Sequence, residues 1–129
     1  MFVSQLETPA LIVDLDVLER NQTRAMDLLR PLGVALRPHY KSHKCTAIAH
    51  MQLTGGAKGI TCAKLSEAED LIQSGVEDVL IANQVVEPAK LMRLGYLAGC
   101  CRLSVCVDTL ENIRALESAA ATFGTTIHC

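Results

Sequence analysis

Arg37-Pro38-His39-Tyr40-Lys41-Ser42-His43-Lys44 places one arginine, two lysines and two histidines within eight residues. The run follows a short apolar stretch, Val34-Ala35-Leu36, and precedes a helical one, so Lys41 is expected at the C-terminal end of a strand. Chemistry collects at that end in repeated β/α architectures, because strand ends hold side chains rigidly while the following loops vary. A lysine among other cations has a route to a lowered pKa, and its neutral amine can attack an aldehyde to form a Schiff base. Pyridoxal phosphate is the commonest aldehyde used in this way. The plain alternative is an ordinary exposed lysine at a strand end.

The neighbours of Lys41 carry paired readings of the same kind. Strand alternation would put Arg37, His39 and Lys41 on one side. His39 then either contacts a cofactor and tunes the lysine, or is satisfied within the barrel mouth. Arg37 either holds an acidic group of a ligand or forms a structural salt bridge. Tyr40 points the other way and is expected to pack. Asn83, Gln84 and Asp108 follow later strand ends, where each either lines a pocket or serves a turn or cap. His39, His43 and Cys45 are soft donors, but their spacing is not a strong zinc pattern and no fourth ligand is evident, so no metal site is assigned. Cys100-Cys101 lies at a helix-to-strand turn with no mark of redox activity.

The elements that must position these residues alternate along the chain. Ala10 to Leu15 is expected as a first strand, with Asp16 and Glu19 as a capping box for a helix that ends at Gly33. A second helix runs from about Thr46 to Leu53 and stops at the turn Gly55-Gly56. Strand Gly59 to Ala63 leads to a helix with Ser66 and Glu69 as its capping box, ending at Gly75. Strand Asp78 to Ala82 precedes a helix with Pro88 in its first turn. Strand Arg102 to Val107 precedes a helix capped by Thr109 and ended by Gly124, and a last strand starts near Thr125.

Strand centres near Ala35, Ile60, Leu80, Val105 and Ile127 recur every 20 to 25 residues or so, which implies parallel strands with right-handed crossovers. A closed eight-stranded barrel needs about 200 residues or more. The 129 residues hold four complete units and the start of a fifth, so the expected fold is an incomplete α/β barrel occupying residues 1–129. A small doubly wound sheet competes, but no Gly-x-Gly-x-x-Gly follows the first strand and no phosphate-cradling loop occurs.

Composition agrees with β/α packing: half the residues are hydrophobic, four are aromatic and none is tryptophan. A formal net charge of −2 gives no reason to expect nucleic acid or an anionic membrane surface as a partner. No apolar run approaches the roughly 20 residues needed to span a bilayer. The N-terminus lacks a basic region followed by an apolar core, and the six cysteines form no spaced framework. Reduced thiols and a cytoplasmic location are the expectation.

Thr8-Pro9-Ala10-Leu11-Ile12-Val13-Asp14-Leu15-Asp16, Asn21 and the Arg37 to Lys44 block resemble the start of the D-threonine aldolase and D-serine dehydratase family. Gly59-Ile60-Thr61-Cys62-Ala63-Lys64, Ser66-Glu67-Ala68-Glu69 and Ile81-Ala82-Asn83-Gln84-Val85-Val86 resemble it too, and the last tilts toward the aldolase branch. The resemblance covers essentially the whole chain from Leu6. It implies an alanine-racemase-like barrel followed by a β-rich domain, with pyridoxal phosphate as cofactor. Lys41 matches the family lysine that forms the internal aldimine, and Lys44 is the second lysine of the block. His39, Arg37, Asn83 and Gln84 become cofactor-site candidates. The family's divalent-metal ligands, and much of its phosphate site, fall in parts this chain does not match.

The implied activity is cleavage of a small D-β-hydroxy-amino acid, such as D-threonine to glycine and acetaldehyde. A D-serine or D-3-hydroxyaspartate dehydratase uses the same lysine. A non-catalytic cofactor-binding barrel and an inactive truncated product are the remaining alternatives. A homodimer is compatible with all of them.

Overall fold

The computed structural model describes residues 2–129. Its centre is a parallel three-stranded sheet of β1 (Ile60–Cys62), β2 (Asp78–Ile81) and β3 (Arg102–Val105), in that spatial order. The register aligns Ile60 with Val79 and Val79 with Leu103, then Cys62 with Ile81 and Ile81 with Val105. These six side chains form two transverse rows that are buried together with Leu71, Leu94 and Leu116 from the helices. Parallel sheets need such helical cover, because the crossovers lay helices on a face of the sheet.

Each crossover is a helix with local start and stop signals. α3 (Leu65–Gln73) follows β1, α4 (Pro88–Leu97) follows β2, and α5 (Leu110–Phe123) follows β3. Pro88 opens α4 as expected, its missing N–H being one the first turn leaves unpaired anyway. Thr109 caps α5 by accepting from the Asn112 N–H at 3.1 Å. α4 and α5 meet closely at Gly95, where a Cβ would lie 2.7 Å from the Ala119 carbonyl oxygen.

Two extended segments flank the sheet. The Leu36 and Pro38 carbonyls accept from the Lys58 and Thr61 N–H groups at 2.9 and 2.8 Å, and His39 forms a single parallel bridge to Thr61. The expected strand before Lys41 is therefore an extended edge and not a full ladder. Pro38 is one reason, since it has no N–H to donate. On the other side His128 bridges Ser104, donating to the Leu103 carbonyl at 3.0 Å. The five segments lie in chain order with no reversal. A doubly wound sheet reverses at a switch point, so the progression is that of a barrel wall.

The N-terminal region departs from expectation. Ala10 to Asp14 forms no strand, and Leu11 is 91% exposed. α1 (Leu15–Leu29) begins at Leu15, and its cap is Asp14, not Asp16: Asp14 Oδ1 accepts from the Val17 N–H at 3.0 Å. A 3₁₀ turn, Arg30–Leu32, and Gly33 at φ 65° end this segment. α2 (Thr46–Thr54) leads to Gly55-Gly56 as expected.

Candidate active site at the strand C-termini

Lys41 sits two residues beyond His39, the last residue of the edge segment, in a 3₁₀ turn spanning Tyr40–Ser42. The turn replaces the expected strand end, so simple alternation does not relate Lys41 to His39. They are linked instead through the backbone: the Lys41 N–H donates to His39 Nδ1 at 3.2 Å. This bond commits Nδ1 and leaves Nε2 as the nitrogen that can meet a ligand. The Lys41 side chain is exposed, with no salt bridge among the described residues.

The turn is anchored at both ends. Tyr40 is 3% exposed and stacks edge-on against His43, with ring centroids 5.5 Å apart. It packs, as the sequence indicates. Burial and, after it, the charge of Asp70 push the Tyr40 hydroxyl above its ordinary pKa, so the phenol stays protonated. Burial pulls the His43 pKa below its ordinary value. His43 Nδ1 accepts from the Cys45 N–H at 3.2 Å.

At the far end, Lys44 adopts a left-handed backbone, φ 47°, and donates its N–H to the Tyr40 carbonyl at 2.8 Å. Its ammonium lies 3.4 Å from Glu67 Oε1. Glu67 is 5% exposed, and its other oxygen accepts from the Ala63 N–H at 2.8 Å, just past the end of β1. Burial alone would raise the Glu67 pKa. The Ala63 N–H and the Lys44 ammonium outweigh that and hold it below the ordinary carboxylate value.

Sequence reasoning missed Glu67. It read Ser66 and Glu69 as the capping box of this helix, whereas the N-cap is Lys64, which makes no side-chain cap bond. Glu67, three residues on, reaches back past the cap in the manner of a capping-box acid. Glu69 instead pairs with Arg93 of α4. A frame set two residues earlier would have found Glu67.

Arg37 resolves to the second of its two readings. Its guanidinium bonds Asp78 Oδ2 at 2.7 Å, at the N-terminal end of β2 and so at the opposite rim from Lys41. A Cβ on Gly59 would stand 2.6 Å from the Asp78 carbonyl oxygen, so glycine is what admits this contact. As a cofactor ligand Arg37 is thus corrected to a structural ion pair.

Asn83 and Gln84 do lie on the C-terminal rim, in the loop after β2, and both are exposed. Asn83 Oδ1 accepts from the Gln84 N–H at 3.0 Å. Both line a cleft of about 540 Å³ with Ala63, Lys64 and Ser66. Lys41 does not line it, so the candidates occupy one rim without converging on one cavity. Asn112 steadies the loop by donating to the Val85 carbonyl at 2.7 Å. His39, His43 and Cys45 form no metal cluster, and no group of three His, Cys, Asp or Glu side chains gathers among the described residues.

Known proteins of similar sequence share this architecture. The chain is 42% identical to a D-threonine aldolase of Arthrobacter over 97% of its length, and 43% identical to a 3-hydroxy-D-aspartate aldolase of Paracoccus denitrificans over 95%. The crystal structure of D-threonine aldolase from Filomicrobium marinum superposes with a TM-score of 0.95 at 48% identity, covering 97% of this chain and 34% of that one. D-threo-3-hydroxyaspartate dehydratase from Delftia superposes with a TM-score of 0.86 at 34% identity, covering 95% of this chain and 32% of that one. The chain spans about a third of the length of the curated relatives it matches. The model of the alanine racemase N-terminal domain matches residues 13–129, and with a sheet that progresses as a barrel wall does, the chain belongs to that family.

Proposed function

We propose that this chain supplies the cofactor lysine, Lys41, of a pyridoxal-phosphate-dependent lyase acting on small D-β-hydroxy-amino acids, with D-threonine cleavage to glycine and acetaldehyde as the reaction. The observation that carries the reading is the contrast between the two lysines of the block. Lys41 is exposed and without an acidic partner at the rim, while Lys44 is bound to Glu67. A lysine with no carboxylate partner can swing to an aldehyde without first breaking an ion pair, as Lys44 must. Greater identity to the aldolases, 42–43%, than to the Delftia dehydratase, 36%, supports cleavage over dehydration.

The residues present fit the aldehyde end of the cofactor. Lys41 would hold it covalently, and His39 Nε2, beside that turn, would meet its ring or the substrate. When bound, pyridoxal phosphate supplies an aldehyde for the lysine and a ring that withdraws electrons from the substrate α-carbon. The two rim amides, Asn83 and Gln84, belong to the same reading as groups able to bind polar atoms near the pocket edge. A divalent metal would polarise the substrate hydroxyl. No described residues gather to bind one, so no part in that step falls to them.

The test is reductive trapping. The chain is incubated with pyridoxal phosphate, reduced with borohydride and mapped by peptide mass spectrometry, beside Lys41→Ala. The pyridoxyl group is expected on Lys41, and no labelling of Lys41 would overturn the assignment. Product analysis with D-threonine separates the reactions: glycine and acetaldehyde for the aldolase, a keto acid and ammonia for a dehydratase.

A further inference from the structure

Lys41 and Lys44 are three residues apart, both exposed, and both reachable by the same small aldehyde. We propose that Glu67 decides which of them reacts: by holding Lys44 in an ion pair, it leaves Lys41 as the amine that takes the aldehyde. The inference rests on the assignment of Lys41 above and adds a positioning and selectivity residue to it.

The geometry is specific. Glu67 is fixed first, since its buried Oε2 is bonded to the Ala63 N–H at 2.8 Å, on backbone that continues β1. That leaves Oε1 facing Lys44 Nζ at 3.4 Å. Lys44 cannot drift away cheaply. Its backbone is held left-handed at φ 47° by the bond from its N–H to the Tyr40 carbonyl, and Tyr40 is itself in the core. A turn position with φ in this range ordinarily favours glycine, so a lysine there needs a reason, and its side chain supplies one by reaching Glu67. The same clamp sets the turn between Tyr40 and Lys44, and so the place of the Lys41 backbone.

Chemically, condensation needs the nitrogen lone pair. The amine nitrogen attacks the aldehyde carbon, the carbonyl oxygen leaves as water, and a carbon–nitrogen double bond remains. Either lysine must give up a proton before it reacts, but Lys44 must in addition leave its carboxylate partner. Lys41 has no such partner among the described residues.

The experiment compares the two lysines within one molecule. The chain and its Glu67→Gln variant are reductively methylated with limiting formaldehyde and cyanoborohydride near neutral pH. Peptide mass spectrometry then reads the ratio of methyl label on Lys44 to that on Lys41. Glutamine keeps a side-chain oxygen for the Ala63 N–H and removes the charge, and circular dichroism checks the fold. The ratio is expected to rise about two- to fivefold in Glu67→Gln, the range for releasing a partly exposed ion pair. Glu67→Asp, which keeps the charge but shortens its reach, is the second variant and is expected to give a smaller rise. An unchanged ratio in whichever variants fold overturns the proposal, since a purely structural role would alter both lysines alike.

The same mapping with pyridoxal phosphate and borohydride adds the link to the cofactor. A higher share of pyridoxyl on Lys41 than on Lys44 in the unmodified chain, with the Lys44 share rising in Glu67→Gln, is the expected pattern. If the unmodified chain takes pyridoxyl on neither lysine, the cofactor assignment of Lys41 falls, while the methylation ratio still decides the role of Glu67.

Discussion

The two halves of the molecule follow the same alternating pattern and reach different states of packing. From β1 to α5, each strand has a hydrogen-bonded neighbour and each helix buries residues against the sheet or another helix. From Phe2 to Gly33, α1 has no buried residue, and Leu11, Leu15, Leu28 and Leu32 remain exposed. α1 is no less amphipathic in sequence: Leu18, Ala25 and Leu29 recur at helical spacing. Amphipathicity stabilises a helix only when a surface meets its apolar side. The wall built on β2 has that surface, and the N-terminal segment has little of it.

The largest expected consequence is in stability. Leu94 is fully buried where α4 meets the core. Leu94→Ala should destabilise by about 2–5 kcal/mol, as for other core truncations. Leu11→Ala, the same chemical change at a fully exposed site, should stay within about 0.5 kcal/mol. Urea unfolding followed by circular dichroism measures both. Equal losses would mean that the N-terminal segment packs in solution and would remove the contrast.

How much of this was legible follows from the range of the interactions. Pro88, Thr109 and Gly124 act on their own helix ends, and the elements they bound lie where the sequence puts them. The Ala10 to Leu15 run has the composition of a buried strand, but a strand needs a neighbour, and composition does not reveal whether one is present. At the site, the rim position of Lys41 was readable from strand–helix alternation. The pairs that surround it were not. Glu67 lies 23 residues from Lys44, and Asp78 lies 41 from Arg37. Ion pairs between elements far apart in the chain leave no local spacing to read.

The Arg37–Asp78 bond ties the edge segment, which follows the N-terminal region, to β2, so it tests how firmly that edge is held to the packed wall. Both side chains are largely buried, and Arg102 adds a longer contact at 3.9 Å to the same carboxylate oxygen. Arg37→Met should cost about 1–3 kcal/mol, the loss expected when one partner of a buried charged hydrogen bond is removed. A double-mutant cycle with Asp78→Asn isolates the coupling. In hydrogen exchange the Arg37→Met variant should lose protection first at the Lys58 and Thr61 amides, which bond the edge segment, before the β2 and β3 amides.

The smallest expected effect is a pH dependence carried by the anchor of the Lys41 turn. His43 is held below its ordinary value of 6.5 because burial disfavours its charged form. The unfolded chain therefore takes up this proton at higher pH than the folded one does. The stability due to a neutral His43 is whole above about pH 6.5 and is lost as pH falls from there through the folded value. Glu67 acts in a lower window, since its pKa is also depressed, here from 4.5: its contribution is present above that value and lost in stronger acid. The two groups should thus appear as separate steps, histidine first. His43→Asn retains a side-chain oxygen able to accept from the Cys45 N–H and cannot titrate. Unfolding midpoints measured at intervals between pH 7 and 5 should flatten in this variant while the acid step remains. An unchanged slope would place the titration elsewhere, and the turn beneath Lys41 would then owe its rigidity to Tyr40 and the Lys44–Glu67 clamp alone.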